Sequence, residues 1–360
     1  MKSISKPKNI KICILSPDYT KSQSPLKNVY EHFPLDPRVF LNKTDTDIHW
    51  DSVLIDTANV YSQINKLRQK KYDIYFNLCD MLDIDWASVE VIRALEYYNL
   101  AYTGADEKSS LLKKSSMKSL ALSCGINTPN YYFAFNDEDI VLADKHIRTY
   151  PMIVKQFNGG DSIGLTPQSK VCCFEDLKTM AIKMIFDFGG ALIEEFIEGR
   201  EYTVLVIEND KNKHEPFVLD PIECVFHNGE TFKHFELKNM DVNNSTSKIK
   251  VQNNQVRTKL MEMSKKAFIY MYGKSYARVD IRADQNDNLY FLEINTKPTT
   301  FWHIPEENNA DFIIKFNSLL KPEEVVYQII NLGLEEYKKR QLPYYVSFTR
   351  EIYNQQGIDS

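Results

Sequence analysis

A chain of 360 residues with 43% hydrophobic and 12% aromatic content can bury a large core and should divide into two or three compact units. Its formal net charge of -5 provides no basic excess for a nucleic-acid partner, and no apolar run of about 18 residues offers a membrane span. Six scattered cysteines without CxxC spacing argue against a disulfide framework or a zinc site, and for reduced, buried thiols in a cytoplasmic protein.

Strand and helix signals alternate from Lys11 to about Gly104. Residues 12–15, 52–55 and 74–78 read as strands and residues 88–98 as a helix, which predicts a parallel sheet flanked by helices. The stretch 12–15 is too short for a signal segment and fits a first strand. Residues 108–124 have helical periodicity up to Gly125. A strand at 152–155 runs into the loop Gly159-Gly160-Asp161-Ser162-Ile163-Gly164, and strands at 191–196 and 201–207 flank the turn Glu198-Gly199-Arg200. Residues 208–215 form a polar turn, and the polar, irregular stretch 226–246 is expected to be mobile. A helix at 255–272 precedes two segments, 276–283 and 289–296, that alternate apolar and polar at period two. A closing helix at 322–339 carries Pro322 in its first turn, where no backbone donor is needed.

The two alternating segments predict a hairpin. With residues 285–288 as a four-residue loop, Asp280 falls opposite Glu293 and Arg278 opposite Asn295, while Val279, Ile281, Leu292 and Ile294 point into a core. Opposed side chains stand about 4.5–5.5 Å apart at Cβ, so the two carboxylates repel unless something positive lies between them. Hard oxygen donors of this kind suit Mg²⁺ carrying water and phosphate. By themselves the residues are equally compatible with a solvent-facing hairpin of mixed charge. The same openness holds for the other pieces. Lys155 and the glycine loop could cradle phosphates or form an ordinary turn. Glu194 and Glu201 could accept from an adenine amine and a ribose hydroxyl, with Phe196 and Ile197 covering the base, or could be surface charge. Lys113, Lys114 and Lys238 say nothing alone.

Their order is informative: lysine, lysine with glycine loop, paired glutamates, a lysine in a polar segment, then the Asp/Glu/Asn hairpin. In this the chain resembles the ATP-grasp superfamily, in its D-alanine–D-alanine ligase-like branch. The resemblance covers roughly residues 11–305. It rests on Phe76-Asn77-Leu78, Tyr102-Thr103-Gly104, Ile153-Val154-Lys155 with the glycine loop, Leu192-Ile193-Glu194-Glu195-Phe196, Glu201-Tyr202-Thr203-Val204, Glu236-Leu237-Lys238, Ala277-Arg278-Val279-Asp280-Ile281 and Leu292-Glu293-Ile294-Asn295-Thr296-Lys297-Pro298.

The resemblance implies an α/β ATP-grasp fold: an N-terminal parallel α/β domain (1–105), a central subdomain with the glycine-rich flap (106–200), a C-terminal subdomain with the metal site (201–340), and an unassigned tail (341–360). Lys114 and Lys155 would hold the ATP phosphates. Glu194, Phe196 and Ile197, with Leu292, would bind adenine, and Glu201 the ribose. Asp280, Glu293 and Asn295 would carry two Mg²⁺ ions, or Mn²⁺ in their place. Arg278 with Ser162 and Gly164 would stabilise developing negative charge, and Lys238 would swing in when ATP binds. The implied activity is ATP-dependent ligation of a carboxylate to an amine, with amino acids as substrates, through an acyl phosphate. Partners are then ATP and small molecules, with no nucleic acid or membrane, and a homodimer by analogy.

Departures from the pattern fall in substrate-recognition positions. Where the D-alanine ligases carry His-Gly, this chain has Cys79-Asp80-Met81. Where they carry a glutamate in the first loop, it offers at best Asp18. Where they have small residues and a serine, it has Thr299-Thr300-Phe301-Trp302-His303-Ile304. Two alternatives stand beside the small-molecule ligase: a ligase acting on a peptide or protein tail, and a non-catalytic nucleotide-binding regulator.

Overall fold

Three sheets, one parallel and two antiparallel, organise the computed structural model, which describes residues 4–21, 35–42, 47–79, 85–239, 245–302 and 308–342. In chain order its elements are β1 (Ile10–Pro17), β2 (Ile48–Ile55), α1 (Val60–Arg68), β3 (Ile74–Asn77), α2 (Asp85–Tyr97), α3 (Glu107–Ser110), α4 (Lys114–Ser123), β4 (Tyr131–Ala134), α5 (Asp137–Ile147), β5 (Met152–Gln156), β6 (Lys170–Val171) and α6 (Phe174–Phe188). There follow β7 (Ala191–Glu195), β8 (Arg200–Ile207), β9 (Phe217–Val218), β10 (Ile222–Phe226), α7 (Phe235–Asn239), β11 (Thr246–Lys250), α8 (Asn254–Tyr270), β12 (Tyr276–Ala283), β13 (Leu289–Asn295), α9 (Asn309–Phe316) and α10 (Pro322–Arg340).

The first sheet has the order β2-β1-β3 and both pairings are parallel, as the alternating pattern predicts. Its central strand β1 is covered on both faces, which is why it reads as an almost unbroken apolar run. Cys13 and Leu15 pack against Ile64, Leu67, Ile92 and Leu95 of α1 and α2. Ile12 and Ile14 pack on the opposite face against Val325, Val326, Ile329 and Ile330 of α10. The last helix thus seals the first sheet. Gly333 permits the approach, since a Cβ there would lie 2.5 Å from the Tyr102 carbonyl oxygen. Pro322 opens α10, and Glu324 accepts the Lys321 N–H as a capping group.

The second sheet, β4-β7-β5-β6, is antiparallel and carries α5 and α6 on one face. Asn136 caps α5, and Gly189 ends α6 in the left-handed region. The third sheet runs β11-β10-β8-β12-β13 with β9 beside β8. Tyr202, Val204, Val279, Ile281 and Phe291 face Val256, Leu260 and Phe268 of α8. The alternate face of β8 and β12 buries Leu205, Ile207 and Tyr276 at one end and presents Glu201, Thr203, Arg278, Asp280 and Arg282 along the rest.

Three expectations change. The single helix at 108–124 is two helices, because Asp106 caps α3 and Lys113 is extended before α4 begins at Lys114. The hairpin loop has five residues, 284–288, closed by Asp284 accepting the N–H groups of Asn286 and Asn288. A bulge then leaves Leu292 outside the pairing, and Phe291 is fully buried where Leu292 was expected in the core. The longer loop and the bulge offset each other, so Asp280 does lie opposite Glu293 and Arg278 opposite Asn295. The third change concerns thiols: Cys172 and Cys173 are exposed. The expected mobile stretch includes α7, and its residues 240–244 lie outside the described residues. So do His303 and 343–360 of the tail.

Candidate functional site

The face of β12 that turns from the core presents Arg278, Asp280 and Arg282 at period two. Arg278 grips Asp280 side-on, with Nη2 donating to Oδ2 at 2.9 Å and Nε to Oδ1 at 3.1 Å. The Thr203 hydroxyl donates to Asp280 Oδ1 at 3.0 Å from β8. Across the pair, Glu293 meets Lys114 at 3.1 Å. Lys114 is the first residue of α4, where a cation opposes the helix dipole, and the contact with Glu293 compensates it. Burial alone would raise the Glu293 carboxyl; Lys114, Lys155 and Arg278 outweigh it and hold it down to about 2. Arg278 is itself held above its ordinary value: burial opposes the charge, but Asp280, Glu293 and Asp161 outweigh burial. Asn295, opposite Arg278, accepts the Lys297 N–H on its side-chain oxygen at 3.0 Å.

Behind this lies a buried triad. Glu194 on β7 is 2% exposed and pairs through Oε1 with Lys118 at 2.5 Å and through Oε2 with Lys155 at 2.7 Å. Lys118 also donates to the Thr128 hydroxyl at 2.8 Å, which donates to the Phe291 carbonyl at 2.9 Å. This chain of bonds ties α4 and β7 to the hairpin. Burial would raise the Glu194 carboxyl, yet the two lysines hold it down to about 2. Burial pulls Lys118 below its usual range, while Lys155 is pushed up by Glu194, Glu293 and Glu201 against burial. With Glu194 ionised and both lysines charged, the triad would carry one net positive charge facing the acidic hairpin.

The hinge between the second and third sheets buries Phe196 and Ile197 and turns at Gly199. Gly199 has φ +146°, and a Cβ there would lie 2.1 Å from the Ala283 carbonyl oxygen, so no other residue fits unchanged. Glu201, just beyond, pairs with Arg282 at 3.1 Å. The cation of Lys170 and that of Arg282 lie over the Phe196 ring at 4.2 and 4.8 Å. A cavity of about 280 Å³ opens here between the hinge, β10 and residues 230–231, lined by Phe196, Glu198, Arg200, Glu223 and Arg282 among others. Leu292, displaced by the bulge, is half-buried.

The glycine loop is joined to residues 231–238, the segment expected to close when ATP binds, hereafter the closing segment. Ser162 donates to the Lys233 carbonyl at 3.0 Å, the Phe235 N–H donates to the Leu165 carbonyl, and Lys238 pairs with Asp161 at 2.6 Å. Asp161 and Ser162 adopt positive φ, and Gly164, at φ +81°, lies against the Phe188 ring. Lys238 therefore meets the flap and not the hairpin. A different lysine of the segment, Lys233, reaches inward to Cys224 Sγ at 3.2 Å and Asn309 Oδ1 at 3.3 Å, beneath the Thr203–Asp280 contact.

Lys114, Lys155, Glu194, Glu201, Arg278, Asp280 and Glu293 thus converge from six elements, α4, β5, β7, β8, β12 and β13. Sequence reasoning missed Lys118, Arg282 and Lys233. The first was legible one helical turn after Lys114, and the second as the next period-two position after Asp280. Lys233 had no local signal. Among the described residues no group of three or more His, Cys, Asp and Glu could hold a metal ion. Asp280, Glu293 and Asn295 supply two carboxylates and an amide, hard oxygen donors of the kind Mg²⁺ accepts together with phosphate, and Arg278 and Lys114 neutralise the two acids here. Among the described residues no helix is long and apolar enough to cross a membrane.

A family model described as "D-ala D-ala ligase C-terminus" matches residues 120–319. The D-alanine–D-alanine ligase of Aquifex aeolicus is 28% identical over 207 residues, covering 57% of this chain, and the chain spans 65% of that relative's length. That of Carboxydothermus hydrogenoformans is 30% identical over 259 residues, covering 68% of this chain and 77% of the relative. Among solved structures, a D-alanine–D-alanine ligase from Bacillus anthracis complexed with ATP superposes with a TM-score of 0.67 at 19% identity, covering 92% of this chain and 99% of the other. D-alanyl-alanine synthetase A from Vibrio cholerae gives 0.68 at 15% identity, over 91% and 99% of the two chains. At these identities the likeness shows the fold, which is ATP-grasp.

Proposed function

The chain belongs to the D-alanine–D-alanine ligase family through its C-terminal region, and from that premise we propose that it is an ATP-dependent ligase joining a carboxylate to an amine. The observation that carries the reading is the facing of Lys114 and the Lys118–Glu194–Lys155 triad against the Asp280–Glu293 pair. Cations on one wall and carboxylates on the other suit a nucleotide whose phosphates need both. We divide the chain accordingly into an N-terminal domain to residue 105, a flap-bearing subdomain to 200 and a metal-bearing subdomain to 340, with the strands of one sheet in each.

In this reading ATP lies between the second and third sheets. Lys114 and Lys155 bind its phosphates. Phe196, Ile197 and Leu292 cover the base beside Glu194, whose two oxygens Lys118 and Lys155 hold, and Glu201 takes a ribose hydroxyl. Asp280, Glu293 and Asn295 would hold Mg²⁺, which supplies charge neutralisation and orientation to the phosphates when bound. The γ-phosphoryl group passes to the substrate carboxylate, making a mixed anhydride of a poor electrophile. The amine then attacks the acyl carbon and phosphate leaves, yielding amide, ADP and phosphate. Arg278 and the Ser162–Gly164 backbone stand where negative charge develops. The closing segment and flap keep water from the acyl phosphate, and Lys238 leaves Asp161 for the nucleotide as they close.

The substrates are small acids and amines, amino acids in the first place. Tyr19, Phe235 and Trp302 form one aromatic cluster from three parts of the chain. Asp18 accepts from the Thr20 N–H and hydroxyl on one oxygen, within a local turn. We therefore expect a pocket shaped differently from that of a D-alanine ligase. The test is a panel of acid and amine pairs, D-alanine included, scored by phosphate release and by the mass of a product one water lighter than its parents. ATP binding with no condensed product across a broad panel would reject the ligase in favour of a nucleotide-binding regulator.

A further inference from the structure

Arg282 is 4% exposed, and the chemistry above leaves it without a task. A guanidinium has five N–H donors, and all five are used. Nε donates to the Ile197 carbonyl at 2.8 Å, and Nη2 to the Gly199 carbonyl at 3.1 Å. Nη1 donates to Glu201 Oε2 at 3.1 Å. Nη1 and Nη2 both donate to the Thr231 carbonyl at 3.1 Å. One planar group therefore joins the hinge, the Glu201 carboxylate and the start of the closing segment. Two residues on, Lys233 accepts from Ser162, and Phe235 donates to Leu165. The segment is anchored at its hinge end by Arg282 and at its flap end by bonds to the glycine loop.

A rigid fork with no spare donor cannot move at one acceptor without loosening the others. Glu201 gives one oxygen to Arg282 and has a second for a sugar hydroxyl. We propose that Arg282 is a positioning residue that sets Glu201 for the ribose and carries that contact to the closing segment, so that sugar recognition and closure are a single event. This deepens the ligase reading and rests on its placement of Glu201 at the ribose. Lysine could supply the charge at this position but not the five-way geometry.

The test measures binding of ATP, 2′-deoxy-ATP and 3′-deoxy-ATP to the full chain by calorimetry. It compares wild type with Arg282→Met, Arg282→Lys, Glu201→Gln and the Arg282→Met/Glu201→Gln double variant. It also measures phosphate released per amide formed. Wild type should prefer ATP to at least one deoxy analogue by about 10-fold or more, as expected for a site built to bond a hydroxyl. Arg282→Met should reduce that preference below about 3-fold and raise phosphate release per amide several-fold, because closure no longer follows the sugar. Arg282→Lys should regain ATP affinity without regaining the preference. The double variant should lose no more preference than either single one, as coupled partners do. A folded Arg282→Met variant with the wild-type preference and coupling would overturn the proposal, and Arg282→Lys serves the same purpose if the methionine variant fails to fold. Wild-type binding without any sugar preference would also overturn it. The ligase reading is judged separately, by whether the wild type forms amide at all.

Discussion

Replacing Lys118 with methionine should be among the most costly single changes in this chain. The methionine fills most of the space but leaves Glu194 with Lys155 as its one cation, and the Thr128 hydroxyl without its donor. Glu194 titrates at 4.5 in the ordinary case and at about 2 here, a difference that amounts to roughly 3 kcal/mol of stability at neutral pH. Because its folded value is depressed, that contribution is complete above pH 4.5 and fades as pH falls towards about 2. Breaking a buried ion pair costs about 3–5 kcal/mol, and since Lys155 remains, a loss near 3 kcal/mol is expected. Urea unfolding at neutral pH measures it directly. Repeating the titration between about pH 5 and pH 2.5 should show the acid-dependent loss of the wild type shrunken in Lys118→Met, whose folded carboxyl titrates closer to its ordinary value. A loss below about 1 kcal/mol with an unchanged acid limb would refute the argument that Lys118 holds this carboxylate.

Glu293→Gln should lower metal-dependent turnover by about 10³-fold without unfolding the chain, measured by ADP release beside circular dichroism; wild-type turnover would remove the metal assignment. Gly199→Ala forces a Cβ against the Ala283 carbonyl at φ +146° and should cost about 3 kcal/mol. Gly229→Ala, at φ +82° with nothing within 4 Å, should cost about 1 kcal/mol, so thermal melts should separate the two clearly. Asp161→Asn breaks the partly exposed ion pair with Lys238 and should change stability by about 1 kcal/mol or less. Its KM for ATP should fall several-fold, because Lys238 no longer has to leave a carboxylate; an unchanged or raised KM contradicts the release step.

The alternation of strand and helix, the period-two hairpin and the order of lysines, glutamates and acids were readable along the chain, because each is a local pattern bound to the geometry of one element. The pairing of Asp280 with Glu293 was read correctly although the loop is one residue longer than expected, since the bulge at Leu292 restores the register. That bulge is set by which large side chain the core under α8 accepts, and Phe291 fills it. Lys238 on Asp161, Lys118 on Glu194 and Arg282 across the hinge depend on segments distant in sequence that meet only after folding. Periodicity reveals which face a side chain takes, but its partner is decided by how the sheets close on one another, and the buried charges here are placed by those long-range contacts.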